Sequence, residues 1–228
     1  MNTRQFIAPL DEPVNTEPSI DILSGEKENY ELPTEPFSGI EQLDWSPDGR
    51  FIAYSCRKKT GRQYAFSTDT EIYIYNVGSG ECKVIPMGGG YDTDPVWSPD
   101  GSRIAWISME RDGYEADKTR LMVADLNYVN DGMPEILNIR DLTADFKYNA
   151  AGPVWSPDGK WIYFNALSEG LQAIYKTDGQ DIVRITGEDK WYDFNSPFAI
   201  VGTENGTELL ASWCSMDFPN ELVRIREN

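Results

Sequence analysis

Histidine is absent from the 228 residues, and no other feature of the composition removes as much chemistry. Ser-His-Asp and Cys-His nucleophilic sites need an imidazole to take and return the proton. Histidine-ligated zinc is excluded with them. There is also no G-x-S-x-G segment to present a serine nucleophile on a tight turn. Cysteine is scarce, with Cys56, Cys82 and Cys214 only. None forms a C-x-x-C pair, and an odd count at wide spacing makes no disulfide framework. Cys56 and Cys214 sit in apolar runs and are expected to be buried free thiols. No apolar run approaches the roughly 18 residues of a membrane span. The opening stretch MNTRQFIAPLDEPVNTEPS lacks the apolar core of a signal peptide. Positive charge is short too: 20 Lys and Arg stand against 38 Asp and Glu, a net −18. Such a field repels phosphate backbones, so nucleic acid is not expected as a partner. It keeps the chain soluble and draws cations, free peptide amino termini among them.

What is present is a repeat in a foldable chain, 40% hydrophobic and 12% aromatic. WSPDG occurs at Trp45–Gly49, Trp97–Gly101 and Trp155–Gly159, at intervals of 52 and 58 residues. Pro presets φ for a turn, Asp bonds nearby backbone, and Gly accepts positive φ. The segments after each copy, RFIAYSC (50–56), SRIAWIS (102–108) and KWIYFNA (160–166), read as half-buried strands. Each unit continues with two more: EIYIYNV (71–77) and 82–87, RLMVADL (120–126) and 135–142, LQAIYK (171–176) and 181–185. A fourth unit follows with ELLASWC (208–214) and 222–226, its first turn reduced to TENG (203–206), an Asn-Gly hairpin signal.

Four short antiparallel strands per unit predict an all-β fold, a β-propeller fragment of about four four-stranded blades with the last incomplete. The expected limits are 39–90, 91–148, 149–190 and 191–228, with 1–38 a linker or remnant of a preceding blade. Residues 19–23 form one stray strand there, a remnant of a larger ring or a strand that completes the last blade. Trp45, Trp97 and Trp155 each end a first strand and are expected to pack between neighbouring blades.

WSPDG blades joined to FSGIEQLDWSPDGRFIAYSCRKKTG (37–61) and SMERDGYEADKTRL (108–121) resemble the propeller of the prolyl oligopeptidase family of serine peptidases, in the group of dipeptidyl peptidases IV and V. WSPDG alone is shared with TolB-like propellers, whereas the 111–121 segment is the more specific. The resemblance implies a two-part enzyme, a serine-type dipeptidyl aminopeptidase with a periplasmic home. Its propeller gates an α/β-hydrolase domain that follows in sequence and carries Ser, Asp and His. This chain would then be the non-catalytic propeller, its partners a peptide with a free N-terminus and the hydrolase domain. The alternative is a stand-alone TolB-like propeller that binds a protein or peptide.

In relatives that release dipeptides, propeller acids grip the substrate α-ammonium. The candidate loop here is ERDGYEADK (110–118), between the second and third strands of the second unit. Glu115 is the first candidate for the amine and Glu110 the second, with Arg111 orienting a substrate carbonyl and Tyr114 lining the chamber. The alternative is that Glu110, Arg111, Glu115 and Lys118 pair with one another. A second insertion, RKKTGRQYAFSTDT (57–70), holds a basic island of Arg57, Lys58, Lys59 and Arg62, read as a solvated loop or a contact to the hydrolase domain. The acidic stretches YDTD (91–94) and STDTE (67–71) lack calcium-loop spacing, so neither metal nor cofactor is expected. A two-carboxylate glycosidase finds no positioned pair. A fluorophosphonate probe is expected to label no serine in this chain; a labelled serine would overturn the non-catalytic reading.

Overall fold

The computed structural model describes residues 4–8, 19–32, 42–130, 132–186, 192–195, 197, 199–203 and 206–227. Strands β1 (Phe6–Ile7) and β2 (Ile20–Asp21) form a two-stranded ladder. Blade 1 contains β3 (Leu43–Trp45), β4 (Phe51–Cys56), β5 (Glu71–Asn76) and β6 (Cys82–Val84), with helix α1 (Arg62–Phe66) between β4 and β5. Blade 2 contains β7 (Asp92–Trp97), β8 (Arg103–Ser108), β9 (Arg120–Asn127) and β10 (Glu135–Asp141). Blade 3 contains β11 (Ala151–Trp155), β12 (Ile162–Ser168), β13 (Leu171–Thr177) and β14 (Ile182–Arg184). Each of these three sheets is an antiparallel meander in chain order, and together with a fourth they make a four-blade propeller.

The fourth sheet has three ranks. β15 (Asp193–Phe194) and β16 (Ala199–Thr203) both pair with β17 (Gly206–Cys214), and β18 (Glu221–Arg226) lies along its other edge. Its first rank is thus one interrupted strand, which accounts for the blade reading as incomplete. The TENG turn includes residues 204 and 205, outside the described residues, as are the expected blade limits at 38/39 and 190/191.

The three WSPDG turns share one geometry. Ser46 Oγ donates to Asp48 Oδ1 at 2.7 Å and accepts from Phe51 N at 2.9 Å. Ser98 with Asp100 and Arg103, and Ser156 with Asp158 and Trp161, repeat it. Gly49, Gly101 and Gly159 take φ of 70°, 72° and 68°, a conformation other L-residues rarely adopt. At Asp100, the Ser98 hydroxyl and then the Ser102 amide and hydroxyl hold the carboxyl down at about 2.

Side chains alternate between two interfaces, as strand period requires. Phe51, Ala53, Ile72 and Ile74 of blade 1 pack against Trp97, Ile104 and Trp106 of blade 2. Ala105, Ile107 and Val123 turn the other way, onto Trp155, Ile162 and Phe164 of blade 3. Tyr163 and Ile174 meet Leu209 and Ala211 of blade 4. The remaining face of blade 1, with Ile52, Tyr54, Tyr73 and Tyr75, is covered by Ile22, Leu23 and Leu32 of the N-terminal segment. β2 therefore neither pairs with nor completes the fourth sheet; its ladder partner is β1.

The tryptophans divide. Trp97 Nε1 donates to the Asp44 carbonyl at 3.3 Å and Trp155 Nε1 to the Val96 carbonyl at 3.2 Å, each reaching back one blade. They are 5% and 8% exposed, and Trp45 is 49% exposed. The interblade expectation holds for the first two and fails for Trp45, whose ring meets no preceding blade among the described residues. Trp97→Ala is expected to cost about 3–5 kcal/mol, as large buried aromatics do, and Trp45→Ala about 1 kcal/mol or less. Urea denaturation of the two variants measures the contrast.

Candidate functional site

The connections β4–β5 (residues 57–70) and β8–β9 (109–119) both join a second to a third strand, so they emerge at the same end of their blades. The WSPDG turns lie at the opposite end. The two long connections are locked together. Asp112 accepts from Ser67 Oγ at 2.9 Å, Thr68 N at 2.8 Å and Asp69 N at 3.1 Å, and Gly113 N donates to Thr68 Oγ1 at 2.9 Å. Burial opposes ionisation of Asp112, but the Ser67 hydroxyl and the two amides prevail and lower its pKa. The link between blades 1 and 2 passes against the root of the second loop so closely that a Cβ on Gly90 would lie 2.1 Å from the Met109 carbonyl oxygen.

Within the first loop, three of the four basic residues are engaged. Arg57 stacks on Tyr64 at 3.8 Å and donates to the Ser67 carbonyl at 3.2 Å. Lys58 pairs with Glu26 and lies 3.8 Å over Tyr73, and Lys59 pairs with Asp69 at 2.7 Å. A merely solvated loop is thus corrected: the N-terminal segment and the loop itself bring acids to the island. Arg62 stays exposed.

In the second loop, Arg111 makes a two-point bond to Asp117, Nε to Oδ2 at 3.1 Å and Nη2 to Oδ1 at 2.9 Å, and stacks over Tyr114 at 3.9 Å. The Arg111 hydrogen bond holds the Asp117 carboxyl down at about 2. Lys118 donates to the carbonyls of Thr143 and Ala144 at 2.7 and 3.2 Å. Mutual pairing among Glu110, Arg111, Glu115 and Lys118 is therefore not what forms. Both cations bond elsewhere, and the exposed Glu110 and Glu115 have no hydrogen-bond or ion-pair partner among the described residues. The loop keeps all four candidate residues, Glu110, Arg111, Tyr114 and Glu115, within one short pinned segment.

Beneath this loop runs a row of cross-strand neighbours, Asp92 on β7, Ser108 on β8 and Arg120 on β9. Arg120 Nη2 donates to Ser108 Oγ at 3.3 Å. Asp92 Oδ1, Arg120 Nε and Trp106 Nε1 are buried without a hydrogen-bond partner among the described residues. Burial pushes the Asp92 carboxyl up to about 7 against the pull of the nearby Ser108 hydroxyl, Trp106 indole N–H and Arg120, with Asp69 adding to the rise. YDTD thus contributes a buried acid, and among the described residues no group of three or more His, Cys, Asp or Glu is placed to hold a metal. Sequence reasoning missed Asp112 and Asp117, although D-G after Arg111 is a turn signal. It also missed Asp94, at φ 53° before Pro95, where β7 carries a bulge like that at Gly152–Pro153 in β11.

Two of the clefts among the described residues bear on the site. One, of about 470 Å³, is lined by Lys59, Arg62, Gln63, Phe66, Ser67 and Asp112 on the joined loops. The other, of about 180 Å³, lies between blades 2 and 3 beside Trp155. Its cations are occupied, Arg103 by the Gly159 carbonyl and the Trp155 ring, Arg140 by Asp125 and Lys160 by Asp158.

This fold is that of propellers found in peptidases and in TolB. The structure aligns with a puromycin-hydrolyzing peptidase of Mycobacterium tuberculosis at TM-score 0.56 and 15% identity, covering 81% of this chain and 30% of that one. It aligns with an acylaminoacyl peptidase of Pyrococcus horikoshii at 0.55 and 17% identity, covering 80% and 25%. With TolB of Acinetobacter baumannii the values are 0.52, 17%, 81% and 40%. No family profile matches the chain. In sequence, the chain is related to dipeptidyl-peptidase 5: it is 45% identical to that of Porphyromonas gingivalis over 210 residues, 90% of this chain. The counterpart from Aspergillus fumigatus is 28% identical over 159 residues, 64% of this chain. The chain spans 28% of the length of the first relative and 21% of the second.

Asp92 sets a pH signature. Its folded pKa lies above the ordinary 3.8, so the folded chain keeps a proton that the unfolded chain releases, and stability falls as pH rises from about 4 to 7. Asp92→Asn is expected to exceed the parent by about 2–4 kcal/mol at pH 8 and to match it near pH 4. Urea midpoints at the two pH values measure this, and a constant difference would remove Asp92 as its source.

Proposed function

We propose that this chain acts as the non-catalytic propeller of a serine dipeptidyl peptidase, gating access and anchoring the peptide N-terminus for an α/β-hydrolase domain elsewhere in the parent protein. Sequence relationship to dipeptidyl-peptidase 5 across 90% of the chain carries the reading. The absence of histidine and of a nucleophile elbow from these 228 residues agrees with chemistry housed in another domain. Residues 1–38 would precede the blades, at the limits 39–90, 91–148, 149–190 and 191–228.

Glu115 is the proposed anchor and Glu110 its second. A carboxylate without a partner among the described residues, on a loop held by Asp112 and Asp117, meets an α-ammonium already oriented and forms a charge-assisted bond. Its distance from the nucleophile would then set the length of the product. Arg111 and Tyr114, stacked on each other, would wall this site and meet the first substrate carbonyl.

In the parent enzyme, Glu115→Gln is expected to lower kcat/KM for free-amine peptides about tenfold, near 1.4 kcal/mol. Slow cleavage of N-acetylated peptides should be unaffected. Unchanged kinetics on free-amine substrates would remove Glu115 from the site.

A further inference from the structure

The two joined loops present opposite charges. The second loop offers Glu110 and Glu115. Of the acids around the first, Asp112 of the second loop is consumed by three donors from residues 67–69, and Asp69 by Lys59. The charge left facing outward at the 470 Å³ cleft is that of Arg62, with Lys59 partly exposed behind it. Beside them Phe66 is 75% exposed. A single exposed apolar side chain needs no explanation, but this ring is carried on a fixed element. The next residue, Ser67, is buried; its amide bonds the Gln63 carbonyl at 3.0 Å, its hydroxyl bonds Asp112 at 2.9 Å, and its carbonyl accepts from Arg57. α1 itself has no buried residue, so these anchors, not core packing, hold Arg62 and Phe66 side by side.

We infer that this cleft is a binding subsite for a peptide carboxylate next to an apolar side chain. A guanidinium recognises a carboxylate through two parallel N–H bonds, and the Phe66 ring supplies apolar area for the neighbouring side chain. A volume of about 470 Å³ is within the range of small-ligand sites. In a chain of net charge −18, a fixed cationic and aromatic pair selects against the cations that the rest of the surface attracts. The carboxylate belongs either to a peptide C-terminus or to an Asp or Glu side chain. The site is separate from Glu115 and stands whether or not Glu115 holds an amine.

The test is an amide NMR titration of the ¹⁵N-labelled 228-residue chain with three probes: N-acetyl-Ala-Phe bearing its free carboxylate, N-acetyl-Glu-Phe amide, and neutral N-acetyl-Ala-Phe amide. Shifts are expected at 62–67 and 112–113 with one or both acidic probes, and the responding probe identifies the source of the carboxylate. The neutral amide should bind about tenfold more weakly, and Arg62→Gln should weaken the acidic probe about tenfold while leaving the neutral one unchanged. Phe66→Ala should weaken all binding. Both side chains are exposed, so an unchanged thermal midpoint will certify folding. Equal binding of the neutral amide, indifference to Arg62→Gln, shifts confined to other blades, or no shift with either acidic probe would each overturn the subsite.

Discussion

The stacking of the first three blades depends on one backward reach: an indole at the end of a first strand donates its N–H to the backbone carbonyl of the blade before it. Trp97 does so to Asp44 and Trp155 to Val96, each acceptor being the residue that precedes the previous repeat's own tryptophan. The bond fixes the height of one blade against the next while the ring fills the wedge between them. Register within a sheet is local, set by the Ser-Asp-Gly turn. Register between sheets is set here, and so is which loop of one blade faces which loop of its neighbour.

That alignment makes the loop platform possible. Ser67 and Asp112 are 45 residues apart in sequence, and only blades stacked at matching heights bring the second-to-third-strand connections edge to edge. Once there, Asp112 acts as a cap for three donors of the neighbouring loop, in the way a carboxylate caps the start of a helix. The glutamates and the Arg62–Phe66 pair then sit on the two loops of one braced surface.

The turns and strands were legible in the sequence because their causes are local: Pro and Gly at fixed offsets, then alternating apolar residues. The 110–118 loop was legible as an insertion, and its four candidate residues lie together. The partner of Arg111 was not, because Glu110, Glu115 and Asp117 are indistinguishable acids until the turn at Gly113 chooses among them. Nor was the burial of Asp92 visible. Its neighbours Ser108 and Arg120 belong to two other strands, and the acidic run around it reads as solvated. The prolines of DPVW and GPVW, confined within sheets to edge strands and bulges, were the signal for the bulges that follow Thr93 and Ala151. Trp45 reads the same as its sister tryptophans because a pentapeptide does not say what stands beside it.

Each apolar cluster spans a single junction: N-terminal segment with blade 1, blade 1 with 2, 2 with 3, and 3 with 4. Cohesion is thus shared like that of books on a shelf, each upright because of its immediate neighbours. The N-terminal segment serves as a bookend for the first volume, braced within itself by Arg4 on Asp21 and bolted to the blade by Lys58 on Glu26. The outward side of the fourth, with Val201, Leu210 and Leu222 exposed, has none among the described residues. Such a row loosens from its unsupported side, and the joined loops, seated between the first two volumes beside the bookend, lie in the half that lets go last.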